Sequence, residues 1–578
     1  MQIRSSDTLA THVERLLVAA FEAAGLEGRG VRAVPAQRPD LADLQCNAAM
    51  ALAGAAKRPP REIAEAVALL LREHVEFTSV DIAGPGFINM RLSPALLAAQ
   101  AARQLADPQA GIAGETQETI VIDFGGPNVA KPLHVGHLRS LVLGESLRRI
   151  LLAQGHRVIG DVHLGDWGLQ MGMLISELPR LWPELTSDGE WTANPPFSMN
   201  DLQAIYPRVA AECKADEGRM TEARAATARL QAGNADDMRL WETIRRVSLD
   251  AQTADFHTLD AHFDELNGES LVQPLIPGMV EDLATRGVAK RSEGALIVEV
   301  AKESDDSPMP PLLLEKSDGA ALYATTDLAT ILERRDRLHP QRIVYVVDQR
   351  QALHFQQVFR AARQAGYADG IELVHVGFGT VNGKDGKPYK TREGGVAKLH
   401  ELLDEAIERA AGRLDERADR AELAHAVGVA AVKFADLSTY RTSGYVFDAE
   451  RMVATEGRTG PYMQYACVRV TSILARADAE SAAMGTMDIA EAGERTLVLL
   501  CSRFPEAVQS AARRYAPNDL ADYAYDLAQA FSRFYAECPV LAASSAEVRA
   551  SRLSLVALTR HVLGKALDLL GIRVPERM

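Results

Sequence analysis

The most restrictive stretch of this sequence begins at residue 119. TIVIDF (119–124) is an unbroken apolar and β-branched run, the pattern of a strand buried on both faces of a parallel sheet. A Gly/Pro loop follows, GGPNVAKPLHVGH (125–137). Leu138, Leu141, Val142, Ile150 and Leu151 then recur on one helical face up to Gln154. Gly155 stands where a helix takes its left-handed stop, and RVIGDVHL (157–164) reads as a second strand. Strand, loop, helix and strand make a βαβ unit. Its loop falls where open parallel sheets take ligands.

Four textures divide the 578 residues. Residues 1–118 are Ala/Leu-rich with helical period, interrupted by DIAGPGFINMRL, a strand after a Gly-Pro-Gly turn. The parallel-sheet texture of 119–397 is split by a partly helical insert at about 181–315. It returns in LYATTDLA (322–329), RIVYVVD (342–348) and IELVHVGFG (371–379). From 398 to 578 the pattern is helical. Leu520, Tyr523, Leu527, Phe531 and Phe534 recur there at the spacing of a bundle core. The expected domains are therefore 1–118, 119–397 and 398–578. The fold class is multidomain α/β, a parallel-sheet core between an N-terminal α+β domain and a C-terminal helical bundle.

Composition excludes several classes. No apolar run approaches the ~18 residues of a membrane span, and the N-terminus has no apolar signal core. The expectation is a soluble, cytoplasmic protein without a membrane partner. Five scattered cysteines without a CxxC pair argue against a disulfide framework and a cysteine-held structural metal. The formal charge of −15 speaks at first against a nucleic-acid partner. Yet residues 181–315 hold 12 Lys+Arg against 25 Asp+Glu, a net −13, and 456–578 hold 14 of each. The acidity belongs mostly to the insert.

Two loops carry chemistry. His134 and His137 flank Val135-Gly136 where the helix starts. Helix-start N–H groups, a glycine that permits close approach and two imidazoles together describe a phosphate site. Lys387 and Lys390 lie in the glycine loop GKDGKPYKTREGG (383–395). Lysines so placed can follow charge onto a leaving pyrophosphate. The plainer readings are solvent-facing loop histidines and a solvated lysine loop. Order along the chain favours the sharper one: histidine loop, sheet, lysine loop, helical bundle.

HVGH and KPYKT resemble the two signature motifs of class I aminoacyl-tRNA synthetases. The longer strings PNVAKPLHVGHLRS (127–140), HLGDWGLQMGML (163–174), SDGAALYATTDLA (317–329), VKFADLSTYRTSGYVFD (432–448), EGRTGPYMQYA (456–466) and the ending LGIRVPERM resemble the arginyl-tRNA synthetase family. QRPDLADLQCNAA and GPGFINMRL are similar to that family's N-terminal domain. The lysine motif departs from the class pattern in Pro388, Tyr389 and Thr391.

The resemblance implies a Rossmann-like catalytic core that makes arginyl-adenylate from arginine and ATP with Mg2+, then arginylates tRNA. It implies that His134, Gly136, His137, Gly165, Asp166, Lys387 and Lys390 serve ATP. It places Tyr323 and Asp327 against the guanidinium, with Asp123 as a second carboxylate and Asn128 and Gln351 at the amino-acid head. Arg441, Tyr445, Tyr462 and Gln464 would contact tRNA, exposed aromatics stacking on unpaired bases. It also implies activation that depends on tRNA. The expected species is a monomer. A small-molecule nucleotidyltransferase would leave 1–118 and 400–578 without a task, and a non-catalytic RNA-binding paralogue would have lost histidines or lysines that are intact here.

Overall fold

The structure is a computed structural model. It describes all residues except 1–7, 187–189, 317–321, 391–396 and 417. Parts of two motifs, 317–321 and 391–395 with Thr391, therefore lie outside the described residues. The chain forms two compact units, 116–453 and 1–115 with 454–578.

The first unit is built on four parallel strands, β1 (Thr119–Phe124), β2 (Arg157–Asp161), β3 (Arg342–Asp348) and β4 (Glu372–Phe378), in the order β4-β3-β1-β2. The order reverses between β1 and β3, so the crevice beyond their carboxyl ends is the switch point where such sheets bind ligands. Helix α1 (Val135–Ala153) leaves the β1 loop and is buried on nearly every side, not on one face alone. It presses so closely on the sheet that a Cβ on Gly144 would lie 2.3 Å from the Phe124 ring. Gly155 has φ 91°, the left-handed stop read from sequence.

The insert carries helix α2 (Ala235–Thr258) and an antiparallel three-stranded sheet of Ala289–Ser292, Ala295–Val298 and Leu312–Glu315. LYATTDLA, read as sheet-like, is instead the start of helix α3 (Tyr323–Leu338). Its threonines do not set the conformation. Thr325 is buried and its Oγ1 donates to Leu314 O, while Ala324, Leu328 and Ile331 face the core at helical spacing. Helix α4 (Ala352–Gln364) connects β3 to β4.

Beyond β4 come a short strand β5 (Val381–Asn382), helices α5 (Leu399–Ala411) and α6 (Arg420–Leu437), and a strand β6 (Tyr445–Val446) that pairs in parallel with β5. The sheet unit thus runs to Val453, past the boundary expected at 398. Helix α6 supplies the reason: it buries Asp436 and Lys433 as well as its apolar face, and packs on α1 rather than in the C-terminal bundle.

In the second unit, a four-stranded antiparallel sheet of Val34–Pro35, Leu44–Cys46, Phe87–Leu92 and Phe77–Ala83 joins five helices between Gly460 and Leu569. The two ends of the chain are one body here. Arg495 donates through Nε to the buried Asp43 at 2.9 Å, and Gln104 Nε2 donates to Cys501 O at 2.8 Å. Tyr523, Phe531 and Phe534 are core, as their spacing indicated. All five cysteines are buried and unpaired. No helix among the described residues is long and apolar enough to cross a membrane.

Candidate active site

The loop after β1 delivers His134 to the N-cap of α1 and His137 to its first turn. Each imidazole spends one nitrogen on the backbone. His134 Nδ1 accepts from Gly136 N at 3.0 Å, and His137 Nδ1 accepts from His134 N at 3.0 Å. This is a reciprocal capping box made of two histidines in place of Ser/Thr and Glu. Because both Nδ1 atoms accept, both rings carry their proton on Nε2 in the neutral form. Burial and the neighbouring His134 push His137 down to about 3. His134 is lowered by burial and by Lys131. At neutral pH the turn therefore presents two uncharged Nε2–H donors, with ring centroids 4.0 Å apart, beside the positive end of a buried helix.

The lysine loop is tied to this turn through the backbone. Val135 N donates to Ala397 O and Leu399 N to Leu133 O, both at 3.0 Å, so the chain leaving the lysine loop pairs with the histidine turn. On the other side, Asn382 bridges Pro388 and Gly383 N donates to Lys387 O at 2.8 Å. Lys387 and Lys390 are exposed. The departure from the class pattern has a structural use. Tyr389 sets its ring edge-on against the buried Phe447, 5.3 Å between centroids, and its hydroxyl donates to Glu405.

Gly165 and Asn128 sit side by side, and a Cβ on Gly165 would lie 2.1 Å from Asn128 Oδ1. Asp166, expected beside the nucleotide, is wholly buried instead. It accepts from Arg245 Nε at 3.0 Å and from Ser270 N and Oγ at 2.9 and 2.8 Å. Its carboxylate is consumed in holding the 268–270 turn.

That turn presents Glu269, a residue the sequence reading did not single out. Burial, with Asp166 and Asp327 nearby, pushes its carboxyl up to about 7. Asp327 projects from the first turns of α3, its Oδ2 held by His354 Nε2 at 2.6 Å, and Tyr323 stands 77% exposed one turn earlier. Among the described residues neither of these two neighbouring carboxyls pairs with a guanidinium, and together they form an anionic recess that a cation would complete. The signal for Glu269 is tertiary: nothing in NGES marks it until the fold places Asp327 and Asp166 around it.

Asp123 does not belong to that recess. Its Oδ2 accepts from Arg334 Nη2 at 2.6 Å, and Arg334, fully buried, also binds Asp161 at 2.7 Å. The internal Arg334 already fills the role expected of a ligand guanidinium, so Asp123 and Asp161 anchor α3 to the sheet. Gln351 is exposed at the start of α4.

The four expected tRNA residues divide. Arg441 and Tyr445 lie in the sheet unit, half-buried. Arg441 Nη1 donates to Gly377 O, and Tyr445 lies beneath the Arg139 guanidinium at 5.3 Å. Gln464 is fully buried and donates to Arg573 O at 2.6 Å. Neither Tyr445 nor Gln464 is an exposed stacking or pairing group. Tyr462 is half-buried, its hydroxyl accepting from Gln529 at 3.1 Å. The exposed aromatic on that helix is Tyr465, 49% exposed, one turn before Arg469, whose guanidinium covers the Tyr535 ring.

Comparison with known proteins covers the whole chain. Residues 100–449 match the family described as tRNA synthetases class I (R), catalytic domain. Residues 463–578 match the DALR anticodon binding domain, and 7–92 match the arginyl tRNA synthetase N terminal domain. The chain is 48% identical to an arginine–tRNA ligase of Hyphomonas neptunium, over 99% of this chain and 100% of that one. It is 47% identical to an arginine–tRNA ligase of Maricaulis maris at the same coverage. Among solved structures, Thermus thermophilus arginyl-tRNA synthetase superposes with TM-score 0.80 at 26% identity, covering 99% of this chain and 100% of that one. The Plasmodium falciparum arginyl-tRNA synthetase shares the fold, with TM-score 0.83 at 23% identity and full coverage of both chains.

Proposed function

The chain belongs to the arginyl-tRNA synthetase family of class I enzymes, and from that premise we propose how the crevice beyond its central strands carries out the reaction. The enzyme joins L-arginine to ATP as arginyl-adenylate, releases pyrophosphate, then passes arginine to its tRNA and releases AMP. The observation that carries the mechanism is the histidine capping box with both Nε2–H groups turned from the backbone.

ATP enters as its magnesium complex, the triphosphate oxygens supplying ligands of the kind that ion prefers. As the arginine carboxylate attacks the α-phosphorus, charge grows on the non-bridging oxygens. Neutral donors already fixed by the helix turn stabilise it without reorganising. Lys387 and Lys390 meet the β- and γ-phosphates as pyrophosphate leaves. Gly136 and Gly165 give the nucleotide close approach, and Asn128 and Gln351 hold the amino-acid head.

Asp327 Oδ1 and Glu269 take the guanidinium, whose planar fork matches carboxylate geometry, with Tyr323 covering it. Guanidinium binding needs Glu269 ionised. Its carboxyl is raised to about 7 in the free protein. The neutral form suits the empty fold, and its stabilising contribution, full below the ordinary carboxyl range, is lost as pH rises through about 7. Arginine then replaces what is lost. The arginine KM is expected to fall about tenfold between pH 6 and 8, and the arginine-induced rise in Tm to grow over the same range. Glu269→Gln should flatten both profiles; unchanged profiles would remove Glu269 from the pocket.

For tRNA we assign Tyr462 and Tyr465 with Arg469, one stacking platform on the first bundle helix. Loss of one stacked base is worth ~1–3 kcal/mol. Tyr465→Ala should therefore raise the tRNA KM about tenfold or more and leave kcat intact; an unaltered KM excludes it. The reading includes activation that depends on tRNA: exchange of pyrophosphate into ATP is expected to be negligible with arginine alone. It also includes a cytoplasmic monomer, to be seen as one 62.7 kDa species in sedimentation.

A further inference from the structure

The motif STYRTSGYVFD (438–448) needs another task once Tyr445 is found beneath the Arg139 guanidinium. Its position gives it one. Arg139 lies two residues beyond His137 on α1 and is 1% exposed. Its Nε donates to Asp436 at 3.1 Å, an α6 carboxylate with no exposure. Its Nη1 donates to Ser443 O at 2.7 Å, and its guanidinium covers the Tyr445 ring. Burial beside Asp436 pushes the Tyr445 hydroxyl well above its ordinary value, so the ring stays neutral under the cation.

The same segment grips the lysine loop from its other side. Tyr445 N donates to Thr380 O at 3.2 Å and Phe447 N to Asn382 O at 2.9 Å, which is the β5–β6 pair. Gly444 passes so near that a Cβ would lie 2.9 Å from Asn382 Nδ2. Lys384 pairs with Asp448 at 3.2 Å, and Phe447 carries the Tyr389 ring between the two lysines. One continuous path therefore runs from the histidine turn through Arg139 and 443–447 to the root of the lysine loop.

We propose that Arg139 is a positioning residue, and that with Asp436 and the 443–447 segment it forms a splint setting the lysine loop in register with the histidine turn. The two motifs act on opposite ends of one triphosphate. A fixed separation between them is therefore worth rate, because misplacement by about 1 Å can cost about 100-fold. A lysine at 139 keeps a charge but cannot span Asp436 and Ser443 O together.

This inference rests on the lysines acting in adenylate formation, and the experiment separates the two claims. The measurement is tRNA-dependent pyrophosphate exchange with full-length enzyme, reading kcat, arginine KM and Tm. Lys390→Ala is expected to lower kcat about 100-fold. If it does not, the lysine reading fails and the splint with it. Arg139→Lys is expected to lower kcat about 30-fold with arginine KM nearly unchanged. In a background lacking both lysines, Lys387→Ala with Lys390→Ala, adding Arg139→Lys should slow the enzyme hardly further, since the splint acts only through those two side chains. If the two losses multiply, the splint is refuted while the lysine reading stands.

Arg139→Lys can also destabilise the fold by leaving Asp436 badly paired. Replacing both charges, Arg139→Met with Asp436→Leu, supplies the control, because apolar exchange of a buried pair is often neutral or stabilising. Tm is expected to return to the wild-type value while kcat stays depressed at least tenfold. Recovery of kcat together with Tm would show that the pair only holds the fold.

Discussion

His137→Asn is expected to lower the kcat of adenylate formation about 100- to 1,000-fold while leaving tRNA affinity and Tm close to wild type. In the proposed reaction His137 uses both of its nitrogens. Nδ1 caps the helix by accepting from His134 N, and Nε2–H is left for the phosphate. An asparagine oxygen reaches roughly where Nδ1 stands, so the cap survives and the donor is lost. Loss of one donor to a developing oxyanion typically costs about 10²–10³ in rate. Glutamine reverses the assignment, placing its amide near Nε2 and giving up the cap. His137→Gln should retain much more activity than His137→Asn and lose about 1 kcal/mol of stability. Equal losses of kcat and tRNA affinity in both variants would mean that the turn is only structural.

Asp327→Asn should produce the largest effect on the amino acid. The substitution keeps size and the His354 contact but removes the charge that would face the guanidinium. A buried fork left against a neutral amide loses a charge-assisted pair, and sites that match polar groups discriminate by 10⁴ or more. The arginine KM is expected to rise at least about 100-fold with a smaller change in kcat. Asp123→Asn is the informative contrast. It should lower Tm, because Arg334 then keeps only Asp161 in a buried site. It should move the arginine KM much less than Asp327→Asn. Equal effects of the two substitutions on KM would return Asp123 to the pocket.

What the sequence disclosed, and what it withheld, divides along range. The βαβ unit was legible because TIVIDF and the Leu138–Leu151 face are local patterns, and Gly155 ended the helix as a left-handed stop does. The phosphate loop was legible because two histidines, a glycine and a helix start stand within four residues. Asp123 misled because the guanidinium it binds lies 211 residues away in sequence, on Arg334. Asp166 misled likewise, its partners Arg245 and Ser270 being 79 and 104 residues away. Glu269 was invisible for the complementary reason, since only the fold places two carboxylates around it. Tyr445 looked like a base-stacking residue because aromaticity is visible in a sequence and burial under Arg139 is not. The net charge was informative only when divided by segment. Of the −15, −13 lies in 181–315, while 456–578, which holds Tyr465 and Arg469, is neutral.

On the proposed reaction, arginine is activated beyond the carboxyl ends of these strands and passed to tRNA. The direct measurement is aminoacylation of purified tRNA by the wild-type protein with a panel holding arginine, lysine, citrulline and glutamine. Charging with arginine alone, tightening from pH 6 to 8 and lost in His137→Asn, is the predicted result. Charging with citrulline or lysine at a comparable rate, or none with arginine, would contradict it.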